Sequence, residues 1–246
     1  MKKIVVLLLI LTLVFVGCKG NTSKDPGKTD EVDIRETENR ETEPNYEELY
    51  SDLLDEFYTF MTGDMDSYPD GAVGVMEIMG QMDTEQLFNS VGYSITDLSG
   101  DGVPELVIGS IAEEGAVVYG TVLYAVFTLV DESPVLVIEG MSRNCYRPME
   151  NGEILFSGSS GAMYSSVGIY TLSNDGKSLV VKDYYFTHET DESFAEIGVF
   201  HNTTGEWDVN ASEKLDITYD ELWDMEAEYS KSTMEWELTP FAELER

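Results

Sequence analysis

Between Val91 and Phe186 the chain is a series of β-rich segments, most of them separated by turn signals, and this pattern restricts the fold more than anything else in it. Val91–Asp97, Glu105–Ser110, Val117–Val130, Val135–Ile138, Glu153–Ser157, Val167–Leu172 and Ser178–Phe186 are rich in Val, Ile, Tyr, Phe and Thr. Asp101-Gly102, Glu132-Ser133-Pro134, Asn151-Gly152 and Asn174-Asp175-Gly176 separate them. Connections this short join antiparallel neighbours, because a parallel pair needs a crossover of a dozen residues or more. The run Val117–Val130 is apolar at both parities, so it is expected to be a central strand covered on both faces.

Helices flank this block. Asn45 with Glu48 has capping-box spacing, and Tyr46, Leu49, Tyr50, Leu53, Leu54, Phe57, Tyr58 and Met61 fall on one helical face before Gly63. Asp83 with Gln86 opens a second, short helix to about Ser90. Thr218 with Glu221 opens another over Tyr219–Tyr229. A hairpin is expected around Asn202–Gly205, a last strand at Trp236 and Leu238, and a terminal helical turn from Thr239-Pro240. The fold class is therefore α+β, mainly β: antiparallel meander sheet or sheets, with a helix on the N-terminal side and one near the C-terminus.

One loop carries chemistry. From Asp97 the chain reads Asp97-Leu98-Ser99-Gly100-Asp101-Gly102-Val103-Pro104-Glu105-Leu106, with oxygen-bearing side chains at Asp97, Ser99, Asp101 and Glu105. Calcium is a hard cation that takes six to eight oxygens, and Val103 adds a backbone carbonyl where Gly102 allows a sharp turn. Carboxylates crowded to roughly 5 Å repel by a few kcal/mol per pair at an effective dielectric near 20, and an ion relieves that repulsion. The competing reading is an Asx-rich hairpin turn with no metal, since Asp and Gly favour turns in any case. Strand flanks and Ile108 at position twelve exclude a helix–loop–helix EF-hand. The stretch resembles the D-x-[DN]-G-D-G-x-x-[DE]-L calcium loops of FG-GAP and VCBS-type extracellular repeats, and a loop common in lipoproteins of Gram-positive bacteria. Ser99 stands where those loops usually carry Asp or Asn, and Glu105 where Asp is commoner. The resemblance implies a structural calcium held by Asp97, Ser99, Asp101, Val103 and Glu105. A single copy does not imply a propeller.

The N-terminus gives an address. Lys2 and Lys3 precede an apolar run, Ile4–Val16, interrupted only by Thr12. Thirteen residues are too few for a membrane-spanning helix, which needs about 20, and they fit the h-region of a secretory signal. The run ends in Phe15-Val16-Gly17-Cys18, which resembles the lipobox of bacterial lipoproteins, with Phe15 in the place of the usual Leu. That resemblance implies cleavage after residue 17, a diacylglyceryl group on Cys18 and acylation, such as palmitate, of the new amine. The bland readings of Cys18 are the end of an uncleaved anchor and a disulfide to Cys145, the one other cysteine. Once Cys18 is lipidated, Cys145 is left as a packing thiol.

Residues 19–44 hold only Val32 and Ile34 as large aliphatics, so they cannot bury enough surface to offset ordering entropy and read as a spacer. The expected organisation is a signal over 1–17, a lipidated tether over 18–44 and one globular domain over 45–246.

Charge then excludes partners. The chain carries 48 Asp and Glu against 14 Lys and Arg, net −34, and residues 45–246 hold forty of those acids and seven of the bases. Such a surface has no electrostatic route to a phosphate backbone, so no nucleic-acid partner is expected. Most of this acidity reads as a solvated surface. Asp64, Asp66 and Asp70-Gly71 fit no ligand scheme and read as a turn. Gly158-Ser159-Ser160-Gly161 lacks the order of a nucleophile elbow, and the spacing of His188 and His201, the two histidines, fits no zinc motif. The residues name no catalytic set. The function they favour is a membrane-anchored extracytoplasmic lipoprotein with a calcium-stabilised domain, in a binding or envelope-structural role. The alternative is an envelope hydrolase acting on glycan or peptide through carboxylates. A solute-binding lobe of a transporter fits poorly, because the strands do not alternate with helices.

Overall fold

The computed structural model describes residues 44–246 except 67, 113–119, 162 and 192–195. The expected signal, Cys18, the expected tether as far as residue 43 and the first three residues of the expected strand Val117–Val130 lie outside the described residues. Glu43–Arg246 forms one compact unit.

Helices α1 (Tyr46–Met61), α2 (Val73–Met79) and α3 (Thr84–Ser90) come first. The strands are β1 (Val91–Thr96), β2 (Glu105–Ser110), β3 (Leu123–Val130), β4 (Ser133–Glu139), β5 (Asn144–Pro148), β6 (Ile154–Gly161), β7 (Tyr164–Leu172), β8 (Leu179–Glu189) and β9 (Ile197–Asn202). After them come β10 (Glu213–Leu215), helix α4 (Tyr219–Ser230) and the two-residue β11 (Thr239–Pro240). The described strands form one antiparallel sheet in the order β10-β9-β8-β7-β6-β5-β3-β2-β1-β11, with β4 also paired to β3. This is the expected α+β, mainly β, meander.

Helix α1 forms because Tyr50, Leu54, Phe57 and Met61 recur at three- and four-residue steps and bury one face, and Gly63, at φ +96°, follows its end. Its N-terminus departs from expectation. Asn45 occupies the cap position and its carbonyl accepts from the Leu49 amide at 3.1 Å, but its side chain makes no capping hydrogen bond; the side-chain amide instead meets the Glu48 carboxylate at 3.5 Å. The capping boxes of Asp83 with Gln86 and Thr218 with Glu221 are both formed.

Strand parity sorts the core. On β2, Leu106 and Ile108 face the three helices, while Val107 faces an inner core shared with Leu123, Val126, Ile138, Phe156, Phe186 and Phe200. Residues from β2–β4 and β6–β9 thus meet on one face, so the sheet coils over itself. A bulge where β2 passes β3 at Gly109 inserts Tyr124 and switches β3's parity, placing Leu123 inward but Tyr124 and Ala125 toward the helices. This is why Leu123–Phe127 are apolar at every position, and all of them are buried. On the outer face of the second half, Leu155, Val167, Ile169 and Val199 pack against Leu222 of α4.

Several expectations need correction. Two regular elements, α2 and β5, go beyond the sequence-based assignment. The chain does turn at Asn202–Gly205, where the Asn202 Oδ1 accepts from the Thr204 and Gly205 amides, but it returns only after a 3₁₀ turn at Val209–Ala211 to pair as β10. The last strand is Thr239–Pro240, opposite Tyr93 and Gly92, not Trp236 and Leu238. Pro240 then caps the 3₁₀ turn Phe241–Glu243.

Candidate functional site

The β1–β2 pairing from Val91↔Ser110 to Thr96↔Glu105 pins both ends of the loop. Within it the Asp97 carboxylate accepts from the amides of Gly100 at 2.7 Å and Gly102 at 3.0 Å, and Asp101 accepts from Val103 at 2.7 Å. Ser99 Oγ accepts from the Asp101 amide at 3.3 Å. Gly100 and Gly102 have φ of +79° and +90°, conformations that only glycine adopts without strain, and a Cβ at either would meet nothing. Backbone geometry alone thus requires them. From α1, Tyr46 donates to the Gly102 carbonyl at 3.3 Å and Tyr50 to that of Pro104 at 2.9 Å, so the first helix braces the loop.

Glu105 lies beneath. It is fully buried, and its Oε2 accepts from the amides of Leu98 at 2.7 Å and Ser99 at 3.3 Å. Its Oε1 is buried without a hydrogen-bond partner. Burial pushes this carboxyl above the usual carboxylate range, an effect the two amides oppose and the Asp101 charge reinforces.

Asp97, Ser99, Asp101, Val103 and Glu105 therefore share one short hairpin, but Asp97 and Asp101 are turned onto the loop's own amides. Among the described residues no group of three or more His, Cys, Asp or Glu side chains is gathered to hold a metal. The donor set still suits a hard cation, since it is all oxygen and includes one buried oxygen with no partner. An ion would be held by Asp97, Asp101 and Glu105 with Ser99 and the Val103 carbonyl, and would supply charge neutralisation and cross-linking.

Two concavities lie near the loop. A cleft of about 280 Å³ is lined by Asp97, Leu123, Met149, Glu153, Ile154 and Trp236, among others. A wider groove of about 650 Å³ between α1, β1 and the C-terminal segment includes Glu47, Asp55, Glu237, Glu243 and Glu245. Arg246 donates to Asp55 there at 2.9 Å and sits 4.3 Å over the Tyr58 ring.

The remaining candidates resolve into structural roles. Asp64 accepts from the Asp66 amide in a local turn, and Gly71 lies where a Cβ would come 2.9 Å from Ala125 and Leu136. Gly158–Gly161 belongs to β6. His188 contacts its neighbour Glu189, and His201 meets Asp183 at 3.0 Å beside the Tyr185 ring. Cys145 is a free thiol whose pKa burial pushes up, with the Arg147 charge opposing and Glu226 adding to the rise, which suits packing rather than nucleophilic chemistry.

One polar node has no trace in local sequence. Arg147 on β5 is ion-paired with Glu226 on α4, and the same carboxylate oxygen accepts from Ser157 at 3.0 Å and Ser230 at 3.1 Å. A spacing of 79 residues hides the pair from any motif.

Comparison of the chain with protein-family models, with curated proteins and with solved structures finds no match in any of the three.

Proposed function

We propose that this chain is a lipid-anchored lipoprotein on the outer face of the cell membrane, displaying an acidic domain that calcium stabilises through the Asp97–Glu105 loop, in a binding or envelope-structural role. The address rests on the Ile4–Val16 run and the Gly17-Cys18 junction. The observation that carries the cation is the buried Glu105 Oε1 with no partner, directly under a loop of oxygen donors. Leaving a carboxylate oxygen buried and unpaired is costly, and a cation removes that cost. Millimolar extracellular calcium suits an affinity in the range of about 10⁻⁴–10⁻³ M.

Thermal unfolding of the full chain with 10 mM calcium against excess chelator tests the ion. Saturation roughly ten- to a hundredfold above Kd corresponds to a rise in Tm of about 3–8 °C. Asp101→Ala should remove that rise, and superimposable wild-type curves with and without calcium would sink the metal assignment. Labelling of cells with a tagged palmitate should mark the wild type and not Cys18→Ala. An unlabelled wild type in the soluble fraction would overturn the address.

A further inference from the structure

We infer that the cleft beside the loop is a binding site for a small organic cation with an apolar body, an alkyl- or aralkylammonium. The cleft reaches the inner core, whose Leu123 and Ile154 belong to its lining. One wall is a strap of chain that carries Met234 and Trp236. The strap is fixed by three hydrogen bonds: Thr121 N to Met234 O at 3.0 Å, Met234 N to Pro148 O at 3.0 Å, and Trp236 N to Thr121 Oγ1 at 2.8 Å. A wall held this way is already in place before a ligand arrives, so little ordering cost falls on binding. Met234 remains 37% exposed and Trp236 is only partly covered, so apolar surface stays accessible in the lining of an otherwise strongly acidic molecule.

Three carboxylates, Asp97, Glu150 and Glu153, stand in the lining, and no Lys or Arg does. They are not equivalent. Glu153 is already ion-paired with Lys182 and accepts from Asn151, which together hold its carboxyl below the usual range. Asp97 is committed to its loop amides. Glu150 is exposed, its amide is tied to the Ser232 carbonyl, and it makes no ion pair among the described residues. It is the carboxylate available to a ligand.

An apolar lining, an indole and an unengaged carboxylate complement an ammonium group on a hydrocarbon body, through burial, cation–π attraction and charge pairing together. The volume, about 280 Å³, equals roughly nine liquid waters, which suits a ligand of about that many non-hydrogen atoms. This reading does not depend on the calcium assignment, although Asp97 borders both places.

The test is calorimetric titration of the full chain with phenethylammonium, 2-phenylethanol and methyl glucoside, each in chelator and in 10 mM calcium. Phenethylammonium should bind with a Kd of about 1 mM or tighter. The neutral alcohol should bind at least about fivefold more weakly, and Trp236→Ala and Glu150→Gln should each weaken the amine about five- to tenfold. Glu150→Gln alters an exposed side chain, so its effect is not confounded by unfolding. Binding that persists in chelator separates this site from the ion loop. No binding of the amine, equal binding of the alcohol, preference for the glucoside, or indifference to both substitutions would each overturn the proposal.

Discussion

Gly176, in the β7–β8 turn, stands directly against the buried carboxylate of Glu105: a Cβ built on Gly176 would lie 2.4 Å from Glu105 Oε1, with Thr128 Oγ1 at 3.1 Å and Ser99 Oγ at 3.4 Å. The turn at Asn174-Asp175-Gly176 and the loop at Asp97–Glu105, some seventy residues apart in sequence, are thus halves of one packed unit. Gly176 also has φ +67°. Gly176→Ala should therefore cost about 1–2 kcal/mol from the left-handed backbone alone, with more from displacing Glu105. Its calcium-dependent rise in Tm should shrink together with the stability. Denaturant unfolding with and without calcium measures both, and a variant as stable as wild type would refute the contact.

Glu105 also sets a pH dependence. Burial raises its pKa in the folded state above the ordinary value of 4.5, so folding favours the protonated form. Its contribution is fully present below the unfolded-state pKa and is lost as pH rises through the folded one. In chelator, the wild type should therefore lose stability relative to Glu105→Gln between pH 4.5 and neutrality. Calcium should reverse that trend by holding the carboxylate ionised. Glu153, Asp175 and Glu221, whose pKa values are lowered by their hydrogen bonds, work in the opposite direction, so the comparison with Glu105→Gln is what isolates the effect. A pH-independent difference between the two proteins would remove Glu105 from this role.

Local signals carried much of this architecture. The boxes Asp83/Gln86 and Thr218/Glu221 act across three residues, and the hairpin turns act across two to four, so both are written in adjacent side chains. The same holds for Asp97–Glu105 as a loop, although the engagement of its carboxylates by amides depends on the folded backbone. Helix α2 escaped because Ala72 offers no cap and the helix is only seven residues long; close packing accompanies it, with Gly74 placed where a Cβ would be 2.4 Å from the Gly140 carbonyl. Strand β5 escaped because Asn144, Arg147 and Pro148 read as loop residues, yet the pairings with β6 and the Arg147–Glu226 bridge hold it in the sheet. The cleft was illegible, because Asp97, Glu150 and Trp236 meet only after the sheet coils.

The Arg147–Glu226 pair gives a third expectation. Both side chains are largely covered, at 13% and 15% exposure, so removing one partner leaves the other poorly solvated. Glu226→Ala should cost about 3 kcal/mol, and Arg147→Met with Glu226→Leu together should cost less than Glu226→Ala alone. A double-mutant cycle by denaturant unfolding reads the coupling. Additive single effects would mean that the bridge does not hold α4 to the sheet.

The fourth concerns the β3–β4 hairpin. Val130 pairs with Ser133, so the turn is the two residues Asp131-Glu132, one position earlier than the Glu132-Ser133-Pro134 signal suggests, and Pro134 lies within β4. Both turn residues have positive φ, at 51° and 62°. This is the backbone of a type I′ turn, whose twist matches that of the flanking strands and whose second position strongly favours glycine. Glutamate there is strained by about 1–2 kcal/mol relative to glycine, because its Cβ crowds the following carbonyl. Part of that gain is returned by the larger freedom of glycine in the unfolded chain. Glu132→Gly should therefore raise stability by about 0.5–1 kcal/mol, and Asp131→Asn with Glu132→Gly by slightly more, without altering the sheet. Equilibrium urea unfolding would register the gain as a higher midpoint at unchanged slope. A lower midpoint would mean that Glu132 makes a favourable contact that outweighs its backbone strain.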